Sequence, residues 1–377
     1  MNFTFGLEHE VAFLRADSSF ADFSNTAFTE FDQIIRELPI FDSDYPQLRV
    51  GDAGIKVKRW YIEGYERFGD SEKVIGCLPK GIEIRTTLHD SIKGVIAELC
   101  ENYALLRQVA VAHGFSPVCI SFNPYLTIFT PDPPLNAYEH RRRMTSPEMQ
   151  TAEIVMLTYG PDLSFSIAGL STEKIIDIGR KLTFYSPYIL PFSFSSPFYG
   201  GEVWDGLSVR TFHRTGPRPA CMVFIDEPDK MIDSAPSLTQ HARVPAETGR
   251  IEFKAFDSCC DFSLYAALLA LLKGLGLDDS LPDRATTPDA ARHQHVARVG
   301  FSDDAICQEA GRVLAAAREA LGDDPDADLL VPLEQMLVTR ETQAGHMIRA
   351  YREQGSISAA FGDEALSILV PEAGFGA

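Results

Sequence analysis

Three stretches of the chain alternate charged and apolar side chains at every second position, and this period constrains the fold most. They read GLEHE at 6–10, GIEIRTT at 81–87 and GRIEFKAFD at 249–257. Because successive side chains of a β-strand point to opposite faces, each stretch has one charged face and one apolar face. Such strands are typical of an antiparallel sheet that packs one face under helices. The charged positions are Glu8, Glu10, Glu83, Arg85, Arg250, Glu252 and Lys254.

These charged faces have two interpretations, which the alternation alone does not separate. In the first, the strands are ordinary amphipathic strands whose charges are solvated. In the second, they line one concave sheet, where converging carboxylates bind Mg²⁺ or Mn²⁺ through oxygen ligands. The interleaved Arg85, Arg250 and Lys254 would then hold a polyphosphate or a substrate carboxylate.

The charge balance of the 377 residues narrows the class of partner. There are 53 acidic and 34 basic residues, which gives a formal net charge of -19. A surface this acidic disfavours nucleic acids and anionic membranes, and it fits a small-molecule substrate that arrives with divalent cations. The seven cysteines form no C-x-x-C pattern, which disfavours a zinc cage and fits a reduced, cytosolic protein. We find no leader-like start and no long apolar run, so we expect no membrane segment.

Hydrophobic periodicity predicts an α+β chain, with a β-rich body to about residue 260 and a helical portion over about 261–377. We interpret residues 1–377 as one domain, and we expect a charged loop at 130–150. Predicted strands cover residues 3–14, 55–65, 80–87, 118–129, 162–170, 220–226 and 250–257. Predicted helices cover residues 27–38, 88–113, 172–186, 262–275, 302–321, 328–343 and 346–361.

The order of these stretches resembles the glutamate–cysteine ligase type 2 family, which includes bacterial carboxylate–amine ligases. GLEHE is similar to the family's opening G-x-E-x-E strand, and IEIRTT is similar to its glutamate strand that ends in threonine. Residues 195–217, SSPFYGGEVWDGLSVRTFHRTGP, resemble its Ser-Pro-Phe segment with later glycines and an arginine. GRIEFKAFD resembles a G-x-x-E-x-R-x-x-D strand, and pieces at 295–301 and 339–356 resemble the family's helical tail.

The resemblance implies a glutamine-synthetase-like fold, in which a curved antiparallel sheet is flanked by helices and binds ATP and metal ions on its concave face. It also implies a reaction: ATP phosphorylates a carboxylate, and an amine then displaces phosphate to give an amide. In the family's main reaction the acid is glutamate and the amine is cysteine. Phosphoryl transfer depends mostly on positioning and charge neutralisation, which is why such a site needs carboxylates held rigidly on strands.

Matching positions imply a role for each candidate residue. Glu8, Glu10, Glu83 and Glu252 would be ligands of Mg²⁺ or Mn²⁺. Lys254 would contact the transferred phosphoryl group, and Arg85 is the second residue expected to act in catalysis. The substrate carboxylate is assigned to Arg210, with Arg214 as the rival and Arg298 as a further candidate.

Two departures from the family pattern lie on the nucleotide side of the expected site. Family members usually carry one or two histidines on the strand before the Ser-Pro-Phe segment, whereas here it reads LSFSIAG, with Phe165 and Ile167 at the expected polar positions. Lys254 replaces arginine, and an ammonium cannot make a bidentate fork. These departures leave open a different acid and amine pair, or a homologue that binds nucleotide or amino acid without turnover. Glu8 and Glu10 also fit the acid and base of a glycosidase, but the rest of the sequence has no feature of a sugar-binding platform.

Other polar features are expected to be structural. His9 falls on the opposite face from the glutamates and is interpreted as a packing residue, and the HRRR run at 140–143 as a solvated charge cluster. His293 and His295 are two positions apart, so on a helix they diverge by roughly 200° and do not form a metal pair. Cys259 and Cys260 are expected to be packing cysteines. The oligomeric state is left open, a homodimer included.

Overall fold

The computed structural model describes residues 2–44, 58–145 and 147–361 of the chain. Three stretches that the sequence analysis covered lie outside the described residues. They are residues 45–54 of a polar segment, residues 55–57 of one predicted strand and residues 362–377 of the predicted helical portion.

One nine-stranded sheet dominates the described residues. Its strands are β1 (Phe3–Arg15), β2 (Phe20–Ala21), β3 (Trp60–Phe68), β4 (Val74–Arg85), β5 (Phe115–Val118), β6 (Pro161–Ile167), β9 (Cys221–Ile225), β10 (Thr239–His241) and β11 (Ile251–Phe253), and a separate hairpin contains β7 (Phe198–Tyr199) and β8 (Glu202–Val203). The main order is β10-β9-β11-β6-β1-β4-β3, while β2 and β5 pair with the C-terminal part of β1. The paired strands are antiparallel, apart from the parallel pair β9 and β10.

Strand β1 shows why the sequence folds this way. Its odd-numbered side chains from Phe3 to Phe13 are all buried, and His9 occupies one of these core positions. The even-numbered Glu8 and Glu10 therefore lie on the opposite face, as the period of two predicts. The buried face contributes to the main hydrophobic core, which stabilises the sheet by removing apolar area from water.

Thirteen α-helices are assigned in the described ranges. They are α1 (Phe28–Glu37), α2 (Ile92–Ala112), α3 (Ala137–Thr145), α4 (Pro147–Gln150), α5 (Ala152–Leu157), α6 (Thr172–Ile189), α7 (Val209–Arg214), α8 (Phe262–Leu277), α9 (Ala290–Val299), α10 (Asp304–Leu321), α11 (Val331–Thr339), α12 (Gln343–Gln354) and α13 (Ile357–Ala360). From residue 262 onward the described structure is helical, as predicted. The curved, mostly antiparallel sheet with flanking helices confirms the predicted α+β class.

Helix α8 packs under the apolar face of the sheet. Its N-cap Asp261 accepts a hydrogen bond from the Ser263 amide, which satisfies one of the free donors at the helix start. Phe262 and Tyr265, in the first turn of α8, pack against the His9 ring of β1 at centroid distances of 5.3 and 5.6 Å. The helix is apolar around most of its circumference because both sides are covered.

Two predicted elements were wrong. Residues 119–129 do not continue β5, because Asn123 ends the extended run: its side-chain oxygen accepts the amides of Tyr125 and Leu126 and folds the chain into a turn. The predicted loop at 130–150 contains helices α3 and α4, so the HRRR run lies on a helix. Asn136 and Glu139 form a reciprocal cap at the start of α3, each side chain accepting the other's amide.

In the chain as described, no helix combines the length and apolarity required to cross a bilayer.

Candidate active site

The pairing register places the acidic side chains on one face of the sheet. Glu8 lies opposite Arg85 on one neighbouring strand and opposite Asp162 on the other. Glu10 lies opposite Glu83. Because residues directly opposite each other in an antiparallel pair point to the same face, these carboxylates share one surface, away from the apolar core.

The first group of carboxylates, which we name the first trio, consists of Glu8, Asp162 and Glu252. One oxygen from each lies within 4.8 Å of the other two. Lys254 is already engaged there: its Nζ lies 2.7 Å from Glu252 Oε1 and also pairs with Asp162 Oδ2. Arg250 Nη2 lies 3.3 Å from the other oxygen of Glu252. The first trio thus has three carboxylates and two cationic neighbours.

The second trio consists of Glu10, Glu63 and Glu83, with the same oxygen spacing of 4.8 Å or less. Its cationic neighbour is Lys80, whose Nζ lies 2.6 Å from Glu10 Oε1. The other oxygen of Glu10 accepts the Gly160 amide at 2.9 Å. The second trio therefore has the larger excess of negative charge.

Burial and mutual repulsion shift the pKa values of these carboxyls upward. Burial raises the pKa of Glu83 well above its ordinary value, and the charges of Glu8 and Glu63 raise it further. Burial also raises the pKa of Glu63 to about 7, against the opposing charge of Lys80. The pKa of Glu8 is raised by burial and then by its trio partners. Burial and the neighbouring carboxylates therefore disfavour the charged forms of these three carboxyls.

Asp162 differs because it has a close cation. Burial alone would raise its pKa, but the charge and hydrogen bond of Lys254 outweigh burial and lower the pKa below the ordinary aspartate value. The same carboxylates raise the pKa of Lys254, so its ammonium remains charged.

The donor set fits Mg²⁺ or Mn²⁺. Both ions prefer oxygen ligands, and each trio offers three carboxylates whose oxygens are close enough to bind one ion together. A bound cation would oppose the raised pKa values of Glu8, Glu63 and Glu83, because its positive charge offsets burial and the repulsion between the carboxylates.

The structure brings together all four glutamates that the sequence singled out as metal ligands, two in each trio. Arg85 lies beside them on β4: its Nε donates to the Lys58 carbonyl at 2.9 Å and its guanidinium packs 5.4 Å from the Tyr61 ring centre. The assigned catalytic roles of Arg85 and Lys254 stay predictions.

Arg210 and Arg214, both on α7, differ in how their donors are used. Arg210 donates to the carbonyls of Lys254, Ala255 and Phe256, so it fastens α7 to the segment after β11. Arg214 is also buried, but among the described residues its one side-chain hydrogen bond goes from Nη1 to the Pro219 carbonyl. Burial and the neighbouring guanidinium groups lower the pKa of Arg214, whereas the charges of Asp162 and Glu10 raise it. Arg214 therefore interacts electrostatically with one carboxylate of each trio. Its side chain also makes fewer hydrogen bonds than that of Arg210.

Arg298 does not contact either trio. Its guanidinium donates to Asp205 and packs over the rings of Trp204 and Phe212 at 5.1 and 4.7 Å. This places it on a half-exposed surface against residues 204–212 of the Ser-Pro-Phe segment, and its substrate-binding role stays a prediction.

Strand β6 corrects the expected position of the polar residues. Phe165 and Ile167 are buried in the main core, and Phe165 pairs with Phe5. The side chains of β6 that face the site are therefore the alternate ones, Asp162 and Ser164, and the Ser164 hydroxyl lies 3.5 Å from Glu252. The assignment of Phe165 and Ile167 to polar positions was wrong because the strand has the opposite parity.

Sequence reasoning missed three residues of this site, namely Glu63, Lys80 and Asp162. Glu63 and Lys80 lie inside stretches that were recognised as strands, and Asp162 follows the pair Gly160-Pro161 at the start of a strand. Asp162 is two positions before Ser164 and therefore lies on the same face of the strand, which is the signal that could have identified it. Only the strand order shows that it neighbours Glu8.

The remaining polar features have structural environments. His9 is buried, its Nδ1 lies 3.0 Å from the Tyr265 hydroxyl, and burial lowers its pKa to about 3. Burial likewise lowers the pKa of His293 to about 4, and His295 pairs separately with Asp303. Cys259 is buried, and Cys260 accepts a hydrogen bond from Gln343.

Comparison with protein families identifies the family of this chain. The sequence profile described as glutamate-cysteine ligase family 2 matches residues 4–217, more than half of the chain. The chain belongs to glutamate–cysteine ligase family 2. The matched range includes five of the six trio carboxylates, and Glu252 lies beyond it. The predicted family is therefore confirmed, and its description names ligases. A search of curated proteins found no match.

Solved structures with the same fold include several ligases. A bifunctional glutathione synthetase from Pasteurella multocida aligns with a TM-score of 0.61 at 13% identity, over 97% of this chain and 52% of that one. Glutamate–cysteine ligase from Francisella tularensis, in complex with AMP, aligns with a TM-score of 0.57 at 12% identity, over 99% and 91%. The ligase PafA, in a complex with the ubiquitin-like protein Pup, gives 0.54 at 12% identity, over 97% and 72%. This family member therefore spans about half the length of the Pasteurella enzyme, and at these identities the likeness shows the fold.

Proposed function

We propose that the protein is an ATP- and Mg²⁺- or Mn²⁺-dependent ligase that activates a carboxylate as an acyl phosphate and joins it to an amine. The observation that carries this proposal is the presence of two carboxylate trios on one face of the sheet. Glutamate is our first choice of acid and cysteine our first choice of amine. The proposal also covers a different acid and amine pair, because the sequences of the surrounding loops do not identify the substrates.

Each group of residues has a distinct role in this reaction. Divalent cations bound by the trios would neutralise charge on the phosphates of ATP during transfer. The ammonium of Lys254, already held between Asp162 and Glu252, would contact the transferred phosphoryl group as a point charge. We assign the substrate carboxylate to Arg214 rather than Arg210, because Arg210 uses both of its terminal nitrogens on main-chain carbonyls.

A second candidate function rests on Lys254. Its ammonium is paired with two carboxylates of the first trio, and this competes with a divalent cation for the same oxygens. Such competition favours a homologue that binds nucleotide or amino acid without turnover. For the ligase we propose a cytoplasmic location and small-molecule substrates, and a homodimer stays a prediction.

The two functions are separated by measuring ADP release. Purified protein is incubated with ATP, Mg²⁺ or Mn²⁺, and a panel of acids and amines, with Glu252→Gln as the matched inactive control. ADP that forms only with one acid and amine pair, together with the amide product, supports the ligase. Thermal stabilisation by ATP and Mg²⁺ without ADP under any pair would overturn the ligase and support the binding protein.

A further inference from the structure

We infer that Lys80 is a positioning residue of the second trio: it fixes the carboxylate of Glu10 and cancels one of the three negative charges, so that the trio matches a divalent cation. This inference rests on the proposed function, because it concerns how the site is prepared for its metal ion. No sequence motif pointed to this lysine, and the family resemblance assigns it no role.

The contacts of Lys80 show that its ammonium is held in one place. The side chain is completely buried. Its Nζ donates to Glu10 Oε1 at 2.6 Å and to the carbonyls of Val155 and Thr158 at 2.9 and 2.8 Å. These three acceptors match the three donors of an ammonium. The lysine is therefore fixed by main-chain atoms as well as by the carboxylate.

A backbone irregularity directs Lys80 toward the site. Between β3 and β4, Glu63 pairs with Gly81, whereas the next residue, Gly64, pairs with Pro79. Lys80 is thus the extra, unpaired residue of a β-bulge, and bulges re-aim side chains next to functional sites. Gly64 is required at this point, because a Cβ there would overlap the Leu78 carbonyl. One bulge therefore positions both Lys80 and Glu63, which belongs to the same trio.

The consequence for Glu10 is a fixed carboxylate orientation. One oxygen is bound by Lys80 and the other by the Gly160 amide, so the plane of the group cannot rotate freely. Tyr159, between Gly160 and the Thr158 acceptor, returns a hydrogen bond from its hydroxyl to the Lys80 carbonyl at 2.9 Å. A buried ammonium is costly unless it is paired, so a purely structural role would be served as well by an apolar side chain. The arrangement instead suits a residue whose charge is needed at the trio.

The test compares two completely buried lysines. Lys80→Met removes the charge at the trio and keeps the side-chain volume. Lys181→Met is the matched control, because Lys181 is equally buried and pairs with the carboxylate and carbonyl of Asp278 outside both trios. Binding of Mn²⁺ and of Tb³⁺ is titrated without nucleotide, and kcat and KM for ATP are measured with Mg²⁺.

We expect Lys80→Met to shift the ratio of Tb³⁺ to Mn²⁺ affinity in favour of Tb³⁺ by about tenfold or more. In the wild type the ammonium of Lys80 repels a trivalent ion more than a divalent one, and the variant lacks this repulsion. We also expect kcat to fall about tenfold or more with a smaller change in KM for ATP. Lys181→Met should leave the ion ratio and kcat at the wild-type values, whatever it does to stability. Lys80→Gln, which can still donate to the two carbonyls but has no charge, should show the same ion shift and carries the test if the methionine variant does not fold.

An unchanged ion ratio in folded Lys80→Met or Lys80→Gln would overturn the inference. Because ion binding is measured without turnover, a wild-type protein that binds Mn²⁺ but releases no ADP would contradict only the proposed reaction. A wild-type protein that binds neither ion would overturn both proposals.

Discussion

Glu10 and Glu83 lie directly opposite each other on β1 and β4, so two carboxylates leave the sheet side by side on the same face. Removing one of these charges should have opposite effects on stability and on catalysis. We expect Glu83→Gln to unfold at a higher temperature than the wild type without metal, because burial and repulsion already raise the pKa of Glu83. The same variant should lose stabilisation by Mg²⁺, and its rate of ADP formation should fall by about 100-fold or more.

Calorimetry with and without Mg²⁺, together with ADP release, measures both effects. The matched control is Glu319→Gln, which removes an exposed carboxylate from α10. A Glu83→Gln protein that keeps its stabilisation by Mg²⁺ would remove Glu83 from the metal site.

The two carboxylates that sequence reasoning missed should be as important as the four that it found. We expect Asp162→Asn and Glu63→Gln each to lower ADP formation by about 100-fold, because each replaces one of the three closely spaced carboxylates of a trio with a neutral amide. Mn²⁺ titration of each variant should show one weakened site, and each variant should weaken a different one. Two variants that weaken the same site would contradict the division into two trios.

Gly160 should tolerate no side chain. A Cβ at this position would overlap the guanidinium of Arg210, which cannot move aside because three main-chain carbonyls hold it. We expect Gly160→Ala to lower the free energy of unfolding by about 1–3 kcal/mol and to reduce activity, since the Gly160 amide also binds Glu10.

The matched control is Gly311→Ala in α10, where a Cβ would make only an ordinary contact with Leu337. This change should be neutral or stabilise the protein by up to about 1 kcal/mol, because alanine favours a helix more than glycine does. Urea titration of both variants measures the difference. Equal stability of the two variants would show that Arg210 is not fixed.

His293 should contribute to acid sensitivity. Burial lowers its pKa in the folded protein to about 4, whereas the unfolded chain has a value near 6.5. Between these values only the unfolded state takes up a proton, so stability should fall as the pH decreases from about 6.5 to about 4. This difference in pKa corresponds to about 3–4 kcal/mol of stability at most.

Urea titrations at pH 7.5 and 5 check this expectation. His293→Asn should show a smaller loss of stability between the two pH values than the wild type, although some loss remains because His9 has a lowered pKa as well. The exposed His241 provides the control, and His241→Asn should lose as much stability as the wild type. An identical loss in His293→Asn would contradict the buried, neutral state of this histidine.

The period of two identified which residues belong to the charged face, because strand parity depends only on local geometry. Glu8 and Glu10 were assigned to the correct face, and so was His9 to the opposite one. Parity does not say which strands are neighbours. Asp162 was missed for this reason, since its closeness to Glu8 depends on a pairing between segments about 150 residues apart.

Other differences arose where side chains compete with the backbone. The run at 118–129 has a strand-like composition, but Asn123 binds two amides that a strand would need. The charged run at 140–143 is helical because Asn136 and Glu139 cap the helix that contains it. Lys80 was not identified because a bulge breaks the alternation at that residue, and no local pattern in the sequence announces it.

The pairing of Glu10 with Gly160 joins residues 150 positions apart in the chain. Each trio draws on strands whose association requires closure of long loops, a step whose entropy cost delays folding until many contacts form together. The cation sites should therefore be among the last features to appear during refolding and among the first to disappear when the sheet loosens. Metal affinity would then report whether the entire sheet has assembled.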